Sequence, residues 1–208
     1  MPAIGITGGI STGKTSFCEC LHEILPAVAK FFDADQAAHE LVELDPDVRK
    51  ELVAEFGREI FSRHSRLKRE RLRAVVFKNA AKRRALEQIL HPRIRRQWSA
   101  EAKRYSNSPA FFFADIPLLY ETGGETLCDR VVVVACSPSI QLARLLLRKG
   151  VTRRAAEEMI KSQMPLDEKI TRADHVVWNN GERSVLADQA RALVELWRQE
   201  KWTKAGAS

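Results

Sequence analysis

The chain has 208 residues, with 34 Lys or Arg against 27 Asp or Glu and a formal net charge of +7. Hydrophobic residues make up 45% and charged residues 29%, a globular mixture that excludes a wholly disordered chain and fits one domain carrying a modest insertion. No apolar run reaches the roughly 18 residues of a membrane span, and the N-terminus lacks the basic and apolar regions of a signal peptide. Cys18, Cys20, Cys128 and Cys136 are too few for a disulfide scaffold and lack zinc spacing, so reduced thiols and a cytoplasmic location are expected.

The segment Ala3–Thr7 reads as a short buried strand, and Gly8–Gly13 as a glycine-rich turn. A helix is expected over Lys14–Leu25, then a second strand over Val28–Phe32 that ends in Asp33-Ala34-Asp35. Helical patterns follow, broken at Asp45-Pro46, Gly57 and Ser62–Ser65. Asn79 reads as the cap of a helix to Leu90, His91-Pro92 as an interruption, and a further helix runs to about Tyr105. Asn107-Ser108-Pro109 is a loop pattern; Ala110–Asp115 and Arg130–Ala135 are the third and fourth strands. Ser137-Pro138 should open a helix to Lys149, with Gly150 closing it, and Thr152 to about Met164 forms another. His175–Trp178 is the last strand, and Ser184 caps a final helix with Leu186, Ala190, Leu193 and Trp197 on one face, before a tail over Lys201–Ser208.

Continuous apolar strands alternating with helices predict an α/β fold, three layers α/β/α with a five-stranded parallel sheet; the Gly8–Gly13 turn followed by Lys14-Thr15 after the first strand makes it a phosphate-loop NTPase pattern. Residues 36–107 are too long for a plain crossover and read as an inserted helical subdomain. Residues 1–35 and 108–208 then form the nucleotide-binding core, with a lid at about 144–172. Charge is uneven: from Arg63 to Arg104 fifteen Lys or Arg face three acidic residues, a net of +12, which leaves −5 elsewhere. Such a segment either meets an anionic partner or is a solvated set of helix faces.

Gly8-Gly9-Ile10-Ser11-Thr12-Gly13-Lys14-Thr15 fits G-x-x-x-x-G-K-[ST] without a gap. Glycines let backbone N–H groups turn toward phosphate oxygens, and the following helix adds its positive N-terminus. Gly9 through Ser16, with Lys14 reaching the β- and γ-phosphates and Thr15 offering a hydroxyl to Mg²⁺, are the expected nucleoside triphosphate contacts. Asp115, at the end of the third strand, either binds Mg²⁺ through water or is a polar strand end. No Asn-Lys-x-Asp guanine signature follows a late strand, which argues against a GTPase.

Asp33 and Asp35 fall at the C-terminal end of the second strand, the edge where open α/β sheets bind ligands. Read as extended chain they point the same way, and one of them takes a proton from an acceptor hydroxyl beside the γ-phosphate; otherwise one simply caps the next helix. Arg144, Arg148, Lys149, Arg153 and Arg154 cluster around Gly150, where arginines can clamp a transferring phosphoryl group on a closing lid.

Together these motifs resemble the dephospho-coenzyme A kinase family. The matching segments are the loop itself, Asp33-Ala34-Asp35 with Ala38-His39, Leu90-His91-Pro92-Arg93-Ile94, Ile116–Glu121, Asp129–Val134, Gln141 with Arg144 and Arg148, Gln163 with Glu168-Lys169, and Ala173-Asp174 with Asn179-Asn180-Gly181. The resemblance implies transfer of the ATP γ-phosphate to the ribose 3′-hydroxyl of dephospho-CoA, with ATP and dephospho-CoA as partners and Mg²⁺ as cofactor. It implies Asp35 as general base with Asp33 assisting, Lys14 and Thr15 serving ATP and Mg²⁺, and Arg144 or Arg148 on the transition state. It further implies His91, Pro92, Pro117, Leu118, Leu119 and Glu121 lining the acceptor pocket, and Asn180 and Gly181 near the adenine. Another small-molecule kinase is the alternative within the class. An ATP-dependent nucleic-acid-binding protein would use the basic segment, but that segment has few aromatics for stacking, chiefly Phe77 and Trp98, and nucleic acid is not an expected partner. Ser11 stands where the family's loop has glycine; at a positive φ, serine costs on the order of 1 kcal/mol. Trp178 replaces a residue that is often acidic.

Overall fold

β-Branched residues interleaved with glycine make β1 (Ala3–Gly8) a strand buried along its whole length, and it sits at the centre of the sheet. The computed structural model describes residues 2–63, 66–105, 111–200 and 202, the side chains of Phe77 and Lys78 excepted. The expected loop at 107–109, Ala110, part of the break at 62–65 and the tail beyond Trp202 lie outside them. The chain divides into two units, Met1–Phe32 with Ala102–Ser208, and Asp33–Glu101.

In the first unit β1 leads through the glycine-rich loop into α1 (Lys14–Ile24) and then β2 (Ala29–Asp33). The second unit holds α2 (Ala34–Leu44), α3 (Pro46–Phe56), α4 (Arg69–Lys78) and α5 (Ala80–Tyr105). Returning to the first unit, the chain forms β3 (Phe111–Asp115), β4 (Arg130–Ala135), α6 (Pro138–Leu146), α7 (Arg153–Lys161), α8 (Leu166–Arg172), β5 (His175–Trp178) and α9 (Arg183–Gln199). The five strands make one sheet in the order β2-β3-β1-β4-β5. β1 runs parallel to β3 and β4, with Ile6 opposite Asp115 and Val132, and β4 runs parallel to β5. The loop after β1 therefore opens at the C-terminal sheet edge, flanked by the ends of β3 and β4, where the strand order reverses and ligands bind in such folds.

One face of the sheet is sealed by α1 and α9. Phe17 and Leu21 from α1 join Leu186, Ala190, Val194 and Trp197 from α9 and Ile4, Ile6, Phe113, Val132 and Val134 from the strands in a single buried cluster. Removing a fully buried indole such as that of Trp197 costs about 3–5 kcal/mol. On the other face Gly5 admits close packing: a β-carbon there would lie 2.7 Å from Cys128 Sγ and 2.8 Å from Leu119.

In the second unit the expected breaks are built as caps. Asp45 Oδ1 accepts from the N–H groups of Asp47 and Val48 with Pro46 opening α3, Gly57 closes it at φ 82°, and Asn79 Oδ1 accepts from Ala81 and Lys82. Arg93 binds both carboxylate oxygens of Glu51 at 2.6 and 3.2 Å, which fixes α5 to α3.

Five local expectations differ from the structure. α5 continues through Pro92 as one helix of 26 residues; the missing proline donor is tolerated, and the Arg93 guanidinium covers the nearby Ile89 carbonyl at 2.7 Å. Asp35 is not in extended chain but in the first turn of α2, because the Asp33 carboxylate turns the backbone into a helix at Ala34. α6 ends at Leu146, three residues early, where the Arg148 N–H donates to the Leu145 carbonyl at 3.0 Å in a tightened turn. α9 starts at Arg183 with Glu182 at the cap, which puts Ser184 inside the helix. The expected helix from Thr152 stops at Lys161, and α8 follows as a separate helix.

Candidate active site

The glycines of the phosphate loop are required by space and by backbone conformation. A β-carbon on Gly8 would lie 2.3 Å from the Val134 carbonyl, and one on Gly13 would lie 1.9 Å from Asn179 Nδ2 at a φ of 99°. Thr12, wholly buried, donates through its hydroxyl to the Gly9 carbonyl at 2.9 Å and closes the turn internally. Ser11 takes φ 60° in the left-handed region, so its replacement of glycine carries the strain that a positive φ imposes. Its Oγ is out of solvent and has no hydrogen-bond partner among the described residues.

Side chains from distant elements hold the loop's remaining backbone groups. Gln141, from α6, donates to the Ile10 carbonyl at 2.9 Å, and Gln163, between α7 and α8, accepts from the Ile10 N–H at 2.8 Å. Asn179, just past β5, donates to the Thr12 carbonyl at 2.9 Å, and Arg144 donates to that carbonyl at 3.2 Å and to the Asn179 carbonyl at 3.0 Å. Lys169, from α8, donates to the Pro117 carbonyl at 3.0 Å and approaches the Gly8 carbonyl at 3.4 Å. Gln141, Lys169 and Asn179 are 5%, 0% and 7% exposed. All three lie in segments that carry the family resemblance, but their bracing role is visible only in the folded chain.

Of the expected nucleotide contacts, Lys14 lies 3.3 Å from Asp115 in an ion pair, and Thr15 is exposed in the first turn of α1. Asp115 Oδ2 also accepts a weak bond from the Cys18 thiol at 3.7 Å. Asn180 Oδ1 accepts from the Ser137 N–H at 2.7 Å, while Gly181 is exposed with open space around it. Arg148 is exposed past the end of α6.

The strip after β3 divides. Pro117 and Leu118 are partly exposed, whereas Leu119 is wholly buried against Gly5 and presents no surface. Glu121 accepts from Lys169 and from the Met164 N–H, both at 2.9 Å. Beside it Tyr120 packs under the Arg172 guanidinium at 4.3 Å, and burial pushes its phenol up to about 12. Burial drives the Lys169 ammonium below its ordinary range against the pull of Glu121, and the positive charge of Lys14 drives it the same way.

In the second unit Asp33 Oδ1 accepts from the N–H groups of Asp35 and Gln36 at 2.8 and 3.0 Å, so this carboxylate does cap α2. Asp35 is exposed at the helix N-terminus, where a negative charge is favoured. His39 pairs with Glu43 at 3.1 Å, and His91 is half-buried in α5 next to exposed Pro92.

A parallel sheet whose central strand feeds a G-x-x-x-x-G-K-T loop and a helix defines a phosphate-loop nucleoside triphosphate-binding protein of the kinase type. The family model for dephospho-CoA kinase (CoaE) matches residues 2–184. A dephospho-CoA kinase of Geobacillus kaustophilus is 38% identical over 196 residues, 93% of this chain and 96% of that protein. Among solved structures, a Thermus thermophilus protein superposes with a TM-score of 0.75 at 29% identity, covering 96% of this chain and 98% of its own. Dephospho-CoA kinase from Campylobacter jejuni superposes at 0.68 with 25% identity over 93% and 95%. The chain belongs to the dephospho-CoA kinase family.

Proposed function

We infer that the chain transfers the γ-phosphoryl group of ATP to the ribose 3′-hydroxyl of dephospho-CoA, giving CoA and ADP in the last step of CoA biosynthesis. The observation that carries this reading is the intact, braced phosphate loop in a chain that matches the family over most of its length. Lys14 exchanges its ion pair with Asp115 for the β- and γ-phosphates of ATP. The Asp35 carboxylate takes the proton of the 3′-hydroxyl as that oxygen bonds to the γ-phosphorus and the bond to the β-phosphate oxygen breaks. Asp33, whose Oδ1 is engaged in the cap, orients the acceptor through its other oxygen. Arg148 meets the charge spreading over the phosphoryl oxygens when the stretch between α6 and Gln163 closes as a lid, while Arg144 holds the loop. Pro117, Leu118, His91 and Pro92 contact the acceptor, and Asn180 and Gly181 the adenine.

Thr15 and Asp115 fit Mg²⁺: a hydroxyl and a carboxylate are hard oxygen donors, and this ion keeps several waters and leans on substrate phosphates. When bound, the ion neutralises charge developing on the β- and γ-phosphate oxygens. A cytoplasmic location is part of the reading and agrees with four cysteines that form no disulfide among the described residues.

A coupled assay for ADP release with Mg²⁺-ATP, with and without dephospho-CoA, tests the reaction. The expected result is acceptor-dependent ADP and a product bearing a 3′-phosphate. ADP release indifferent to the acceptor would leave the nucleotide site standing and overturn the choice of substrate.

A further inference from the structure

Lys169 lies outside the loop motif, yet it is wholly buried at the loop's first residue. Its ammonium has three oxygen partners: the Gly8 carbonyl, the Pro117 carbonyl and Glu121 Oε1. A buried ammonium is retained only where its donors are satisfied, and here all three N–H bonds are used. A trans peptide points its C=O and the following N–H to opposite sides. Holding the Gly8 carbonyl toward Lys169 therefore fixes the direction of the Gly9 N–H. The same α8 region acts again two residues on. Gln163 accepts from the Ile10 N–H, and Glu121, the partner of Lys169, also takes the Met164 N–H. Residues 163–169 thus grip both ends of the Gly8–Ile10 stretch. Thr7 Oγ1 donates to the same Pro117 carbonyl at 3.0 Å, which ties the strand end into the set.

We propose that Lys169 is a positioning residue for nucleotide binding, its ammonium bracing the entrance of the phosphate loop and, with Glu121 and Gln163, making the α8 region part of the nucleotide site. It touches no reacting atom; it acts by holding the Gly9 N–H in the orientation that phosphate oxygens meet. This inference rests on the nucleotide site of the proposed function but not on the identity of the acceptor.

The test is ATP affinity, by calorimetry in the absence of any acceptor, at a temperature well below each variant's unfolding midpoint. Lys169→Met is expected to raise the Kd for ATP about tenfold or more, the loss associated with bonds to a buried charged group. Because that variant strands the Glu121 carboxylate, Lys169→Met/Glu121→Leu is measured beside it; an apolar replacement of a buried pair restores stability. Recovered stability with weakened ATP binding supports positioning, since a merely structural brace would recover both. A folded variant, single or double, that binds ATP as the parent does overturns the proposal. If the parent binds ATP but ignores dephospho-CoA, the substrate reading falls while this result still stands or fails on its own.

Discussion

Two strand ends in this protein feed helices through functional turns, and they are held in opposite ways. After β1 the phosphate loop is fixed by Gln141, Arg144, Gln163, Lys169 and Asn179, each more than 130 positions away in sequence from the residue it holds. After β2 the acidic turn is fixed by Asp33 itself, through N–H groups two and three residues on. The difference follows from geometry. A loop that turns its N–H groups inward leaves carbonyls pointing outward in a buried place, and each must find a donor. A strand that enters a helix directly has only the first-turn N–H groups to satisfy, and one carboxylate suffices. The nucleotide side is therefore preorganised by tertiary structure and the acidic side by local sequence. Damage to the first should appear in binding, and damage to the second in turnover.

The largest effect expected is at Asp35. Asparagine keeps its size and its place in the first turn of α2, so ATP affinity stays at the parental value and stability falls only by the lost helix-terminus charge, about 0.3–1 kcal/mol. Without a proton acceptor, kcat should fall by about 10²–10⁴-fold. A kcat within a few-fold of the parent would break the comparison at its acidic end, because Asp35 would then be only a favourable helix charge.

Asn179→Ala probes the other side. It removes the bond to the Thr12 carbonyl and the amide packed at Gly13. Losing a buried hydrogen bond costs about 1–3 kcal/mol, so the Kd for ATP should rise roughly tenfold, with kcat at saturating ATP little changed. If kcat fell while ATP affinity held, the loop would not be organised for binding in the way its long-range bonds indicate.

This contrast also explains what could be read from the sequence. The loop motif, the five strands, the break at Asp45-Pro46 and the caps at Asn79 and Ser137 are local patterns, and each forms where its residues predict. Gln141, Gln163, Lys169 and Asn179 lie in segments that mark the family, but no local pattern shows their role, since what makes them matter is a carbonyl or N–H in a distant loop. Glu121 shows the same limit from the other direction: its segment marks the family, but the Lys169 ammonium that occupies its carboxylate is visible only in three dimensions. Pro92 misled because a proline usually ends a helix, whereas here the helix runs on and Arg93 covers a carbonyl one turn back.

Ser11 offers the smallest and sharpest probe, because it sets local strain against long-range bracing inside one loop. Its φ of 60° is imposed by neighbours that are themselves held from afar. Glycine at this position relieves a cost of order 1 kcal/mol, and its extra freedom in the unfolded chain returns about half of that. The net gain is then about 0.5 kcal/mol, a rise in Tm of roughly 1–2 °C for a chain of this size, with the Kd for ATP unchanged or slightly lower. Ser11→Ala keeps the strain and removes only the unpartnered hydroxyl, so it separates the two contributions. If glycine and alanine both weaken ATP binding, the Ser11 hydroxyl is a phosphate ligand particular to this loop. If glycine alone raises Tm, the bracing is strong enough to hold a strained serine where the backbone prefers none.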